Sequence, residues 1–584
     1  MVIKNDILSM LTKKQIPQII ILLVISIILS LPFLKPGLYM IHDDQQIARL
    51  FVFDQALKSG QFPVRWVDGL GFGFGYPLFN FYPPFVYYFG EIFNILGFGF
   101  INSIKLVFFI SIFASGLAMY IFTRQVFKEI PSLVSALFYM VIPYRAVDIY
   151  VRGALAESFS FVWLPLILWS ICKLQKEKSL KFVIFTSVFL ALFMITHNLI
   201  FLALMTLLPF YLIFLLWGSQ SRKKLLKVFF LSICLGFALS AFFWLPALYE
   251  KKYTIVNDLL LVNLANYKIH FVYPQQLWNW QWGFGGSAVG LADGISFKIG
   301  KLHVILSIAA LILASCHLFK KVKNNHLYNS KLTILFFTLF AFSALMTTFY
   351  SKPIWDLIQP LSYLQFPWRY LIFTALFSSI LAGAFFNLLR LPILNIYGSL
   401  IIIILLFIPN LKLFKPQSYR PDLTDKLATS HEVINWYVSS SSFEYLPKGV
   451  ELVKSSLGTN VVDITKNEIP ANKIDVIGGE ATISDLKVTP ARVDFRVNAA
   501  SDAKIKANIF NFPGWQVILD ESRLKIDDNN RLKLITFDVP GGVHQIKLIF
   551  RNTAIRYFSN SISFFSVLIL ILLIFKRWLT PKIN

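Results

Sequence analysis

Long apolar stretches alternate with short basic ones along most of this chain, as in Ile16–Leu34, Leu106–Phe122 and Leu400–Pro409. At roughly 17–25 residues per membrane crossing, the pattern predicts helices near 16–34, 103–122, 131–148, 158–172, 181–196, 199–217, 227–245, 302–318, 332–349, 369–388, 393–411 and 557–575. That makes about twelve spans. Between 412 and 556 the long runs give way to period-two alternation, as in Ala491-Arg-Val-Asp-Phe-Arg-Val497, Lys504-Ile-Lys-Ala-Asn-Ile509 and Gln545-Ile-Lys-Leu-Ile549. Such alternation reads as half-buried antiparallel strands. Turn signals separate them at Asn511-Phe-Pro-Gly514, Asp527-Asp-Asn-Asn530 and Val539-Pro-Gly-Gly542.

The expected fold class is a polytopic α-helical membrane protein with interfacial helices in its first outer loop and an extracytoplasmic β-sandwich near the C-terminus. The expected division is a transmembrane domain over 1–411 with its first outer loop at 35–102, a β-rich domain over 412–556, and a final helix with a basic tail over 557–584.

Composition narrows the class. Of 584 residues, 56% are hydrophobic and 15% charged, which excludes a soluble enzyme, a disordered tail and a fibrous repeat. The net charge of +24 raises the question of a polyanion partner. Its cations, however, sit between apolar runs, as in Arg222-Lys-Lys224 and Lys320-Lys-Val-Lys323. They read as topology signals rather than a nucleic-acid surface. The three cysteines, Cys172, Cys234 and Cys316, lie in or beside apolar spans and offer neither a disulfide framework nor a metal site. The first stretch follows Lys13 and Lys14, is long, and precedes no small-residue cleavage site, so it reads as a retained helix.

The segment Pro83–Phe100 decides sidedness. Gly90, Glu91 and Asn94 interrupt it. Read as an interfacial helix, it places the basic clusters at Arg124/Lys128, Lys173–Lys181, Arg222–Lys227, Lys320–Lys331 and Lys576/Arg577 on the same side as Lys13 and Lys14, as the positive-inside rule favours. Both termini are then cytoplasmic and the active face extracytoplasmic, on a plasma-membrane protein. The outer segments 35–102, 149–157, 196–198, 246–301, 350–368 and 412–556 hold most of the unusual polar residues.

Among these, His42-Asp43-Asp44 puts two adjacent carboxylates at the membrane rim. One can act as a general base on an acceptor hydroxyl while the other orients the acceptor or a metal; equally, an Asp there can simply cap the following helix. In Tyr150-Val-Arg-Gly-Ala-Leu-Ala-Glu157, Arg152 can clamp a phosphate, with Glu157 as its partner, or the two can form a structural salt bridge. Thr196-His197-Asn198 closes a span with a costly histidine, a functional candidate or simply a satisfied packing residue. Any metal there would need His42, Asp43, Asp44 or Glu250 as co-ligands. Glu250 ends Trp244-Leu-Pro-Ala-Leu-Tyr-Glu250, and Arg369 in Phe366-Pro-Trp-Arg369 can hold a lipid phosphate or reach for headgroups. The run around Gly71, Gly73 and Gly75 follows no parallel strand and reads as an aromatic-glycine loop near the cleft.

Together these stretches resemble the GT-C superfamily of membrane glycosyltransferases, marked by an acidic pair in the first outer loop. More closely they resemble the bacterial "pyruvoyl-tetrahydropterin-synthase-related" membrane protein family, whose label carries no pterin chemistry, and its large relatives proposed to glycosylate cell-surface polymers. The matching motifs are Pro63-Val-Arg65-Trp66 with Gly75-Tyr76-Pro-Leu-Phe-Asn-Phe-Tyr-Pro-Pro84, the Tyr150–Glu157 stretch, Thr196–Asn198, Phe243–Glu250, Phe366-Pro-Trp368-Arg369 and Phe512-Pro-Gly-Trp515.

The resemblance implies inverting transfer of a sugar from a polyprenyl-phosphate donor to an extracytoplasmic glycan, polymer, glycolipid or protein acceptor, with no nucleic-acid partner. Asp43 or Asp44 would activate the acceptor. Arg369 and Arg152 would stabilise the departing phosphate. His42, Arg65, Tyr76, Glu157, His197, Asn198, Glu250 and Trp368 would line the cleft. A divalent cation is an open element of that implication, with Asp43, Asp44, His197 and Glu250 as its candidate ligands. The competing readings are a transporter or flippase of lipid-linked glycans, which predicts repeats and mid-membrane charges, and a non-catalytic surface-glycan binding protein.

Overall fold

The computed structural model describes residues 15–260, 265–320, 325–389, 392–455 and 458–579; the basic flank at Lys13 and Lys14 lies outside them. The chain divides into two compact units. One comprises residues 1–44, 104–236 and 267–422, the other 45–103, 237–266 and 423–584.

Among the described residues, nine helices are long and apolar enough to cross a membrane, or ten counting one bent pair. The protein is therefore a multi-spanning α-helical membrane protein, with fewer full-length helices than the twelve apolar runs suggest. Pro32 explains one shortfall: the first helix stops after Ile16–Leu29, and a 3₁₀ turn follows over Leu31–Leu34. The helix Leu180–Thr196 has 17 residues. The run expected at 227–245 is broken into Arg222–Leu239 and Ala241–Tyr253, bent by 69°. At the break the Trp244 indole N–H donates to the Phe237 carbonyl at 2.8 Å, inserting a side chain into the helical ladder. The interrupted segment after Pro83 forms Phe85–Ile95, only 11 residues long.

In the first unit, burial ranks the helices. The spans Leu155–Glu177, Glu129–Arg152 and Pro367–Leu388 are 94%, 89% and 89% buried over their apolar windows, against 28% for Lys301–Phe319 and 22% for Ile396–Leu413. The first three form the centre; the last two leave most of their surface uncovered by protein. Small residues allow the central helices to close up. A Cβ on Gly383 would lie 2.0 Å from Ser135 Oγ and 2.4 Å from the Pro131 carbonyl, so glycine is needed where Leu371–Leu388 meets Glu129–Val141.

The second unit holds the two largest sheets. A five-stranded antiparallel sheet runs in the order Ser522–Leu524, Trp515–Leu519, Gly542–Phe550, Arg492–Ala499, Ala481–Thr489. A three-stranded one runs Leu534–Val539, Ala503–Phe510, Ile474–Gly478. Phe495 pairs with Ile546 and Val493 with Leu548. All four are buried on one face, as the alternation along 491–497 requires.

Candidate active site

The site in the first unit begins with a helix that cannot finish. Ile142 precedes Pro143, which forces it into extended geometry and ends Glu129–Val141. The chain resumes as a short helix over Pro143–Val147, widens into a π-turn over Asp148–Arg152, and leaves through Gly153 at φ +68°. The widened turn gathers side chains from one short segment at the end of a buried span.

Arg152 Nη1 lies 2.5 Å from Asp148 Oδ1 and 2.9 Å from Glu157 Oε2. Tyr144 donates its hydroxyl to Glu157 Oε1 at 2.5 Å. Arg369 Nε stands 3.7 Å from Glu157 and His197 Nε2 4.0 Å. The Arg152 guanidinium lies 4.5 Å from the Trp368 ring centroid, and Trp368 stacks on Phe366 and Phe297. Asp148, Glu157 and Tyr144 are each at most 1% exposed. Two carboxylates and two guanidiniums therefore balance in a buried environment, where an unmatched charge would cost several kcal/mol.

The acidic pair reaches this cluster through the loop after the first helix. Leu38–Tyr39 pairs antiparallel with Tyr419–Arg420. Tyr39 donates its hydroxyl to the Ile149 carbonyl at 3.2 Å, and its ring lies 5.3 Å from that of Tyr150, which in turn donates to the Leu29 carbonyl at 2.5 Å. The backbone N–H of His42 then donates to the Val151 carbonyl at 3.1 Å, and that of Asp43 to the Arg152 carbonyl at 2.8 Å. Asp43 is half-buried, within electrostatic reach of Arg152 and Arg369. Asp44 is exposed along part of its surface, with protein packed around its carboxyl. Its carboxyl titrates above the usual aspartate value: lost hydration is the main cause, Arg420 opposes it, and Asp43 adds to it. Neither Asp43 nor Asp44 belongs to the helix that begins at Gln46, whose N-cap is Gln45.

The first unit thus unites Asp43, Arg152, Glu157, His197, Trp368 and Arg369. The His42 ring meets the Phe284 carbonyl at 2.9 Å. His197 Nδ1 accepts the Ile200 N–H at 3.4 Å and caps the helix that Asn198 begins. Arg65, Tyr76 and Glu250 belong to the second unit. Tyr76 accepts the Tyr445 N–H at 2.8 Å. Glu250 accepts from Asn80, Thr553 and Arg556.

Among the described residues, no group of three His, Cys, Asp or Glu side chains is placed to hold a metal ion.

Sequence reasoning overlooked Asp148, Tyr144 and Arg145. The available signal was ionisable residues inside an apolar run, a costly placement that marks function or pairing. Arg145 is fully buried, donates to Ser115 Oγ at 2.8 Å and lies 4.0 Å from the Phe161 ring centroid.

Fold and site together define a multi-spanning membrane protein with a buried, charge-balanced cluster at one end of its central helices, joined by an acidic loop. Residues 79–414 match the family model described as "6-pyruvoyl-tetrahydropterin synthase related domain; membrane protein", and the chain belongs to that family. It is also similar to an uncharacterized protein of Lactococcus lactis subsp. cremoris, 24% identical over 247 residues, which are 41% of this chain and 40% of that one. The chain thus matches under half the length of that relative.

Among solved structures it is similar to the arabinofuranosyltransferase AftD from Mycobacteria (10% identity, TM-score 0.41, 68% of this chain and 26% of that one). It is likewise similar to the Archaeoglobus fulgidus oligosaccharyltransferase (13%, 0.43, 71% and 56%) and to ArnT from Cupriavidus metallidurans bound to undecaprenyl phosphate (12%, 0.38, 68% and 63%).

Proposed function

We propose that this protein is a membrane glycosyltransferase that moves a sugar from a polyprenyl-phosphate donor to a hydroxylated acceptor on the extracytoplasmic face of the plasma membrane. The observation that carries the reading is the 2.8 Å bond from the Asp43 N–H to the Arg152 carbonyl, which ties a half-buried carboxylate to a cluster containing Arg369. Base and leaving-group stabiliser must flank one reacting carbon, and this pairing supplies both.

In the proposed step an acceptor hydroxyl attacks the anomeric carbon and its proton passes to the Asp43 carboxylate. The bond from that carbon to the phosphate oxygen breaks with inversion, and the electron pair leaves on the lipid phosphate. Arg369 faces the developing charge. Arg152, already gripped by two carboxylates, chiefly holds the geometry. Asp44, the next residue along the loop, orients the acceptor. The β-rich region is read as a sandwich that presents or packs against the acceptor.

The test is turnover of a polyprenyl-phosphate sugar by purified wild type, Asp43→Asn and Asp44→Asn. Selective loss in Asp43→Asn supports the reading. Equal turnover in all three removes the pair from catalysis, and lipid movement across liposomes without sugar transfer replaces the reading with a flippase.

A further inference from the structure

A second polar centre lies wholly within the second unit. Arg65 and Arg556 are 2% and 0% exposed, and the carboxylate that faces them both is Glu250, 1% exposed. Arg556 Nε donates to Glu250 Oε2 at 2.9 Å. Asn80 Nδ2 donates to the same oxygen at 2.8 Å, and Thr553 Oγ1 to Oε1 at 2.7 Å. Arg65 spends its Nη atoms on Asn80, the Phe242 carbonyl and Asn560, at 2.8–3.1 Å. Its Nε, and Nη2 of Arg556, are buried without a hydrogen-bond partner among the described residues. The centre therefore carries one positive charge in excess and two orphaned donors. Both are costly unless an anion offsets them.

A cavity of about 400 Å³ opens beside this centre, lined by Tyr249, Glu250, Tyr253, Pro513, Thr553 and Phe558. It sits where the membrane helix Ala554–Phe575 begins and where the bent helix Ala241–Tyr253 ends. Phe558, Tyr249 and Tyr253 are 61%, 52% and 39% exposed, the placement of aromatic side chains at a membrane boundary. The Lys252 ammonium stands 4.0 Å from the Tyr249 ring centroid and 5.1 Å from that of Tyr253, adding a second cation over two lining rings. Glu250 does not repel an anion as a bare carboxylate would, because an amide, a hydroxyl and a guanidinium already donate to it.

We infer that this cavity binds the phosphate headgroup of an anionic membrane lipid, with Lys252 at its mouth, the Arg65–Arg556 pair supplying field from below, and the acyl chains passing along Phe558. The site shares no residue with the Asp43 cluster, and the inference does not depend on glycosyl transfer.

The test is native mass spectrometry of the full-length protein in detergent, offered phosphatidylglycerol, phosphatidylcholine or inorganic phosphate. Wild type is expected to retain one phosphatidylglycerol about tenfold more tightly than phosphatidylcholine, and inorganic phosphate is expected not to displace it. Lys252→Glu, at an exposed position, should lower phosphatidylglycerol retention about tenfold. Arg556→Gln should lower it as well if it folds. Lys223→Glu, in the basic cluster of another helix, should leave it unchanged. Equal retention of the two lipids, no loss in Lys252→Glu, the same loss in Lys223→Glu, or displacement by inorganic phosphate would each overturn the inference.

Discussion

Arg152 Nη1 and Asp148 Oδ1 lie 2.5 Å apart, four residues apart along a π-turn, and both side chains are buried. Glu157 grips the same guanidinium nitrogen from the next helix. A buried guanidinium held from two sides has a fixed position, and the Arg152 carbonyl to which Asp43 is bonded is fixed with it.

Removing one side of that grip leaves a partly compensated buried charge. Asp148→Ala is therefore expected to destabilise the protein by about 3 kcal/mol, within the usual cost of breaking a buried pair. Tyr144→Phe, which loses one hydrogen bond to Glu157, should cost about 1 kcal/mol. Thermal unfolding in detergent reads both, and a melting temperature unchanged in Asp148→Ala would remove the ion pair from the account.

Gly153 at φ +68° is where the π-turn hands the chain to the next helix, and an added Cβ would lie 2.4 Å from Ile41 Cδ1. Gly153→Ala combines a left-handed backbone cost of about 1–2 kcal/mol with a clash on the segment carrying Asp43. Hydrogen exchange at 40–44 should accelerate more than exchange elsewhere. Uniform acceleration would mean that the glycine serves global folding instead.

If Asp43 takes the acceptor proton, Asp43→Asn should lower kcat about 10²–10⁴-fold. Asp44→Asn should act mainly on the acceptor KM. A pattern with the two roles exchanged would assign the base to Asp44.

Arg369 stands beside Glu157 through Nε and bonds the Leu364 carbonyl through Nη1 at 2.7 Å. Lysine carries the charge without the planar fork. Arg369→Lys should therefore lower kcat/KM about 10²-fold while leaving the melting temperature close to wild type. Comparable activity in the lysine variant would show that a point charge suffices.

Glu91 lies 2% exposed beside Asp54, itself 1% exposed, on the two helices Gln46–Lys58 and Phe85–Ile95. Burial, then the contact with Asp54, pushes the Glu91 carboxyl up to about 7 from an ordinary 4.5. A carboxyl raised on folding keeps its proton where the unfolded chain releases it. Its contribution to stability is full below about pH 4.5 and is lost as pH rises to about 7, by about 3 kcal/mol at most. Glu91→Gln should flatten that decline and be more stable than wild type at pH 8. Parallel stability curves for the two proteins would place the titration elsewhere.

The motifs were legible because each is local. Arg152 and Glu157 are five residues apart, and Phe366–Arg369 and Thr196–Asn198 are short enough to read as rim features. Asp148 was not: it lies at the end of an apolar run expected to be an unbroken helix, and only Pro143 and Gly153 together turn that end into a π-turn. Glu250 and Arg65 read as cleft residues because both stand in motifs that carry the family resemblance. Their actual partners, Asn80, Thr553, Asn560 and Arg556, lie 170 to 495 positions away for some of these contacts, and sequence carries no distance across such gaps.

Apolar run length and the spacing of cations were enough to determine a multi-spanning membrane protein, because a lipid interior tolerates only backbone that satisfies its own hydrogen bonds. Period-two alternation likewise determined the strands, since a half-buried sheet has two chemically different faces. Which charges neutralise one another was decided only in three dimensions. Ion pairing depends on a few ångströms in a medium of low dielectric, and those distances are set by where helices break, bend and cross.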